Sequence, residues 1–123
     1  MPDLVRLVYV SYPTRPLSDA EMDGLLASAR AYNTGRSVTG RLLVLSAIGD
    51  DAAAAYVQWI EGPEAGVAAV FQRISEDGRH RDLRVLDRSP VAARAYPAWA
   101  MDHEAVPGET LGAALARFGM ARA

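Results

Sequence analysis

The chain predicts an α+β fold: a ferredoxin-like βαββαβ sandwich with an added fifth strand and a short C-terminal helix. Three observations point there. Apolar, β-branched runs recur at 4–11, 38–46, 56–60 and 83–86. Two segments with apolar residues at helical spacing, 19–32 and 64–75, divide those runs into the split β-α-β order. Half of the 123 residues are hydrophobic and 23% are charged, which suits one domain around one core and argues against disorder.

Each element has its own local warrant. The run LVRLVYVS at 4–11 is apolar on both faces apart from Arg6, so it predicts a central strand. Tyr12, Pro13, Thr14, Arg15 and Pro16 predict a loop, because two prolines interrupt regular pairing. Ser18 followed by Glu21 three residues later predicts a capping box, with Met22, Leu25, Leu26 and Ala29 on the apolar face behind it. Asn33, Thr34 and Gly35 are expected to end that helix, Gly35 supplying the left-handed turn. VTGRLLVLS at 38–46 predicts the second strand, 47–55 a long connection, and 56–60 the third strand, stopped by Glu61, Gly62 and Pro63.

Val67, Val70, Phe71 and Ile74 share one face of the second helix, which Asp77 and Gly78 end. Arg79 to Asp82 read as a charged loop and 83–86 as the fourth strand. Residues 91–95 read as a helical turn or irregular link, 99–101 as a short fifth strand and 110–118 as a final helix, with a fraying end. The expected organisation is one unit over 1–102 followed by a helical tail over 103–123.

Composition removes several function classes. The chain has no cysteine, so disulfides, thiolate metal sites and cysteine nucleophiles are excluded. A formal net charge of -2 without a basic stripe argues against nucleic acid. No secretory signal or membrane-length apolar run is evident, so a cytoplasmic protein without membrane contact is expected. His80 and His103 stand apart with no metal-ligand spacing, and no phosphate-cradling glycine loop or nucleophile elbow occurs. An acyl-phosphate hydrolase on this fold needs a glycine-rich loop after the first strand, and 12–16 lacks glycine. An enzyme is therefore not expected.

What remains is a set of polar side chains in apolar company: Tyr9 within the first strand, Asn33 at the end of the first helix, and Gln58 within the third strand. An amide buried without partners costs about 1–3 kcal/mol, so Gln58 requires some. Taken singly, the plain readings are a core tyrosine, a C-cap, an edge residue and, at Trp99, ordinary core. Taken together, with Trp99 and Met101 two residues apart, they suggest a site.

In order, LVYVS at 7–11, Asn33 before Val38-Thr39-Gly40, Gln58-Trp59-Ile60-Glu61-Gly62-Pro63, Asp77 with Arg79-His80 and Asp82-Leu83, and Trp99-Ala100-Met101 resemble the BLUF family. These are sensors of blue light using flavin adenine dinucleotide (FAD), and the resemblance runs from about Leu4 to Met101. It implies FAD held non-covalently between the two crossover helices. It implies that Tyr9 is the photoactive electron donor, that Gln58 bridges Tyr9 and the flavin ring, and that Asn33 hydrogen-bonds the pyrimidine edge. Arg79 and His80 are implied to line the flavin site. Trp99 and Met101 are implied to repack near the glutamine on illumination. Leu25, Leu26 and Ile74 suit apolar walls for such a ring.

The chain departs from that pattern in four places. The 47–55 connection is long. Tyr32 replaces a smaller or imidazole side chain and is expected to stack on the flavin or crowd it. Ser37 stands where glycine is common, and the tail is short. The face left open by that tail is expected to meet a separate downstream protein or a second copy, making a homo-oligomer. The alternative is a flavin-free BLUF-like adaptor or oligomerisation module.

Overall fold

A computed structural model describes residues 3–46, 53–98, 101–108 and 110–118. Its elements run β1 (Leu4–Pro13), α1 (Asp19–Gly35), β2 (Thr39–Ser46), β3 (Ala55–Pro63), α2 (Glu64–Ser75), β4 (His80–Val91), β5 (Asp102–Pro107) and α3 (Leu111–Arg117). The strands form one sheet in the order β4-β1-β3-β2-β5. β3 lies antiparallel between β1 and β2, which gives the split crossover, and β5 joins β2 in parallel.

Alternation along the strands divides the core. Leu7, Tyr9, Leu42, Tyr56 and Ile60 face α1 and α2, packing with Leu26, Val67 and Val70. Val8, Val10, Leu43, Val57 and Trp59 face the other way, under Ala114 and Phe118 of the α3 segment. Trp59, Tyr96 and Phe118 meet there with ring centroids 5.5–6.3 Å apart.

Helix α1 starts as the sequence indicates: the Glu21 N–H donates to Ser18 Oγ, and the Ser18 N–H donates to the Glu21 carboxylate. Its end differs. The helix continues through Asn33 to Gly35, Arg36 caps it, and the left-handed residue is Ser37 at φ 58° rather than Gly35. The Asn33 carbonyl accepts from both Arg36 and Val38 N–H groups, so the turn closes two residues later than the glycine suggests.

Four strand limits also differ. β3 does not stop at residue 60 but runs through Glu61 and Gly62 to Pro63, because all three pair with the start of β1. β1 includes Tyr12 and Pro13, since a proline at a strand end forfeits no needed ladder bond. β4 includes the charged 80–82 segment and Pro90, because an edge strand with exposed side chains lacks an apolar signature. β5 is Asp102–Pro107: its polar Asp102, His103 and Glu104 mask it in the sequence, and Met101, expected at the end of a strand over 99–101, precedes it. Trp99 and Ala100 lie outside the described residues, as does most of the 47–55 connection.

Two register shifts interrupt the β1–β4 ladder, at Val8/Tyr9 and Val10/Tyr12. At the second, Asp82 takes φ 54°. Both shifts flank the strand segment that carries Tyr9. On the other side, Gly40 is required by close approach: a Cβ there would lie 1.9 Å from the Trp59 carbonyl oxygen.

Candidate functional site

Tyr9 and Gln58 are cross-strand partners in the β1–β3 ladder, with Leu42 of β2 opposite Gln58 on its other side. Each projects toward the helices and each is buried, at 4% and 6% exposure. The Tyr9 hydroxyl donates to Gln58 Oε1. The Gln58 amide Nε2 then donates to the Met101 sulfur at 3.2 Å. Met101 is 2% exposed, and its backbone carbonyl accepts from Arg30 Nε at 2.8 Å. The amide that opened the question of partners is thus bonded on both sides.

Above this chain of bonds lies a cleft between α1 and α2, enclosing about 810 Å³ with its open mouth included. Leu25, Leu26 and Ala29 of α1 and Val70 and Ile74 of α2 form apolar walls. Tyr9, Tyr56, Gln58 and Met101 line it from the sheet side, Asn33 from the end of α1, and Asp77, Arg79 and His80 from the segment after α2. A few polar groups among apolar walls fit a small-molecule site.

Electrostatics order the polar groups. Burial, with added repulsion from Asp77 and Tyr56, pushes the Tyr9 phenol far above its usual range, so it remains a neutral donor. Asp77 and Arg79 form a fork, with Arg79 Nε 2.9 Å and Nη2 2.7 Å from the carboxylate oxygens. That hydrogen bonding holds Asp77 below the usual carboxylate range. His80 is tied down at both nitrogens: Nε2 donates to the Ile74 carbonyl at 2.6 Å, and Nδ1 lies 2.7 Å from Ser11 Oγ. Its ring borders the cleft 6.2 Å from that of Tyr9.

Of the residues singled out in the sequence, Tyr9, Leu25, Asn33, Gln58, Ile74, Arg79, His80 and Met101 converge on this cleft. Tyr32 does not line it. One residue before Asn33 means a turn of about 100° around the helix, and the Tyr32 ring is instead clasped by Arg36 and Arg73 at 4.6 and 4.5 Å. Trp99 lies outside the described residues. Sequence reasoning missed Arg30, which holds Met101, and Tyr56, which lines the cleft beside Gln58. Tyr56 was legible, since a residue two before Gln58 on a strand shares its face.

Among the described residues no group of three or more His, Asp or Glu side chains could hold a metal ion. None of their helices is long and apolar enough to cross a membrane.

A buried tyrosine–glutamine pair beneath an apolar cleft on a ferredoxin-like sheet is the arrangement of a small-molecule binding module. The family model for BLUF, sensors of blue-light using FAD, matches residues 4–102, and the chain belongs to this family. It is 33% identical over 94 residues to the photoactivated adenylate cyclase subunit beta of Euglena gracilis, covering 76% of this chain and 10% of that protein. The alpha subunit is 30% identical over 93 residues, again 76% of this chain but 8% of the relative. The chain therefore spans about a tenth of the length of these curated relatives.

Among solved structures, the dark state of BlrB, a BLUF protein, superposes with a TM-score of 0.73 at 33% identity, covering 85% of this chain and 74% of that one. BlrP1 of Klebsiella pneumoniae with FMN and cyclic diGMP superposes with a TM-score of 0.69 at 32% identity, covering 83% and 26%.

Proposed function

We propose that the chain is a cytoplasmic blue-light photoreceptor. It binds FAD non-covalently in the α1–α2 cleft, switches the Tyr9–Gln58 hydrogen-bond network, and signals to a separate protein. The observation that carries this reading is the continuous bonding from Tyr9 through Gln58 to Met101 at the floor of the cleft.

The residues present suit a flavin. Isoalloxazine is a flat apolar ring with polar atoms along one edge, which calls for apolar walls and a few placed amides. Leu25, Leu26, Val70 and Ile74 supply the walls, and Asn33 and Gln58 the amides. Arg79 stands near the mouth, its side chain partly exposed. Bound flavin supplies blue-light absorption and an electron-accepting excited ring.

The chain supplies the switch. In the observed arrangement Gln58 Oε1 accepts from Tyr9, and Nε2 donates to the Met101 sulfur. Turning the amide by 180° places Nε2 toward Tyr9 and Oε1 toward Met101. A thioether sulfur has no proton to donate, so the Met101 bond is lost. Tautomerisation reverses the donor pattern in a related way. Met101 leads directly into β5, so its release reaches the sheet edge, a local bonding change with a wider readout.

In this reading residues 1–102 are the sensor unit and 103–123 carry the output, to a downstream protein or a second copy of the chain. The module senses and does not turn over a substrate. The test is to purify the protein, add FAD if it is pale, and record absorption before and after blue light. A reversible red shift of the flavin band is expected. A protein that remains colourless with FAD overturns the proposal and favours a flavin-free adaptor.

A further inference from the structure

Tyr56, on β3, joins Tyr9 of β1 on the helix side of the sheet, two residues before Gln58 and therefore on the same face. It is 7% exposed and lines the same cleft. Its hydroxyl differs from that of Tyr9 in one respect. Tyr9 bonds Gln58, whereas the buried Tyr56 hydroxyl has no hydrogen-bond partner among the described residues. Its strand neighbours leave little choice, because Tyr56 stands opposite Ser11 on β1 and Val44 on β2. Ser11 Oγ lies against His80 Nδ1, and valine has no polar atom.

Such a hydroxyl has lost water without gaining a protein partner, a cost that native structures rarely keep without reason. Here a ligand cleft adjoins it. Burial, more than any neighbouring charge, raises its phenol above the ordinary value, so it stays protonated and able to donate.

We propose that Tyr56 is a cofactor-positioning residue whose hydroxyl donates to a hydrogen-bond acceptor of the bound flavin. This inference rests on the flavin-binding reading above. Two tyrosines then face the ligand in different roles: Tyr9 is engaged inside the protein and works through Gln58, while Tyr56 is completed only by the ligand.

The test separates apoprotein from loaded protein. Tyr56→Phe keeps the ring and removes only the oxygen. Apoprotein of each form is titrated with FAD by fluorescence quenching, and both apo and loaded forms are melted. The variant is expected to bind FAD roughly tenfold more weakly, a loss of about 1.4 kcal/mol. Its apoprotein should melt no lower than wild type, because an unsatisfied hydroxyl has been removed rather than a bond. Its loaded form should melt lower than loaded wild type. Equal FAD affinity in the two proteins overturns the inference while leaving flavin binding intact. So does an apo Tyr56→Phe protein that melts lower than apo wild type, since the hydroxyl then has a partner within the chain. Wild type that fails to bind FAD overturns the functional reading and the inference with it.

Discussion

Gln58 accepts from the hydroxyl of Tyr9, the residue directly opposite it in the β1–β3 ladder. Register and chemistry coincide at this pair. A slip of one residue would turn Gln58 to the opposite face of the sheet, among Val57 and Trp59.

Tyr9→Phe should destabilise the apoprotein by about 1–3 kcal/mol, because it leaves the buried Gln58 Oε1 without its donor. Urea unfolding of the flavin-free protein measures this. An unchanged midpoint would show that the pair contributes nothing to the fold.

Met101→Leu keeps the volume and removes the sulfur acceptor. Stability should change by less than about 1.5 kcal/mol, and flavin should still bind. Light should no longer alter hydrogen exchange in β5, since the Gln58–Met101 bond is the proposed link to that strand. Light-dependent β5 exchange equal to wild type would place the link elsewhere.

Glu61 is fully buried, and its carboxylate accepts from Trp59 Nε1 at 2.9 Å and from the Ala95 and Tyr96 N–H groups at 2.9 and 2.6 Å. It pins the link between β4 and Met101 to β3. Glu61→Ala removes the acceptor of these three donors and of Thr39 Oγ1 and should cost about 3–5 kcal/mol, well beyond a surface substitution. Chemical denaturation gives the number, and a loss under about 1 kcal/mol would contradict this account.

The Tyr9 phenol is raised above its ordinary value near 10, by burial first. The folded protein therefore keeps this proton where the unfolded chain loses it. The unfolded state then binds fewer protons, so the contribution is fully present below about pH 10 and falls as pH rises above it. In folded protein, Tyr9→Phe should leave the phenolate absorbance gained between about pH 9 and 11 unchanged. A smaller gain in the variant would mean that Tyr9 titrates normally.

Strong periodicity made the central elements legible: the apolar faces of α1 and α2 and the buried runs of β1, β2 and β3 lie where the pattern places them. The edges were hidden. β4 and β5 carry charges that suit an exposed edge and erase the apolar signature, as Arg81, Arg84, His103 and Glu104 show. Ser37 illustrates a second limit: the turn after α1 is set by the Asn33 carbonyl and places a serine, not Gly35, at positive φ. In the site, the strand residues were readable because period two fixes their face. Tyr32 stands outside the cleft because one step along a helix turns the side chain away. Arg30 carried no signal, since its partner is a backbone carbonyl 71 residues distant.

The central claim is that the Gln58 amide is the switching element. The direct measurement is the light-minus-dark absorption spectrum of the FAD-loaded Gln58→Leu variant beside wild type. Wild type should show a reversible red shift, and the variant should bind FAD and show none. A normal, reversible red shift in Gln58→Leu would contradict the account.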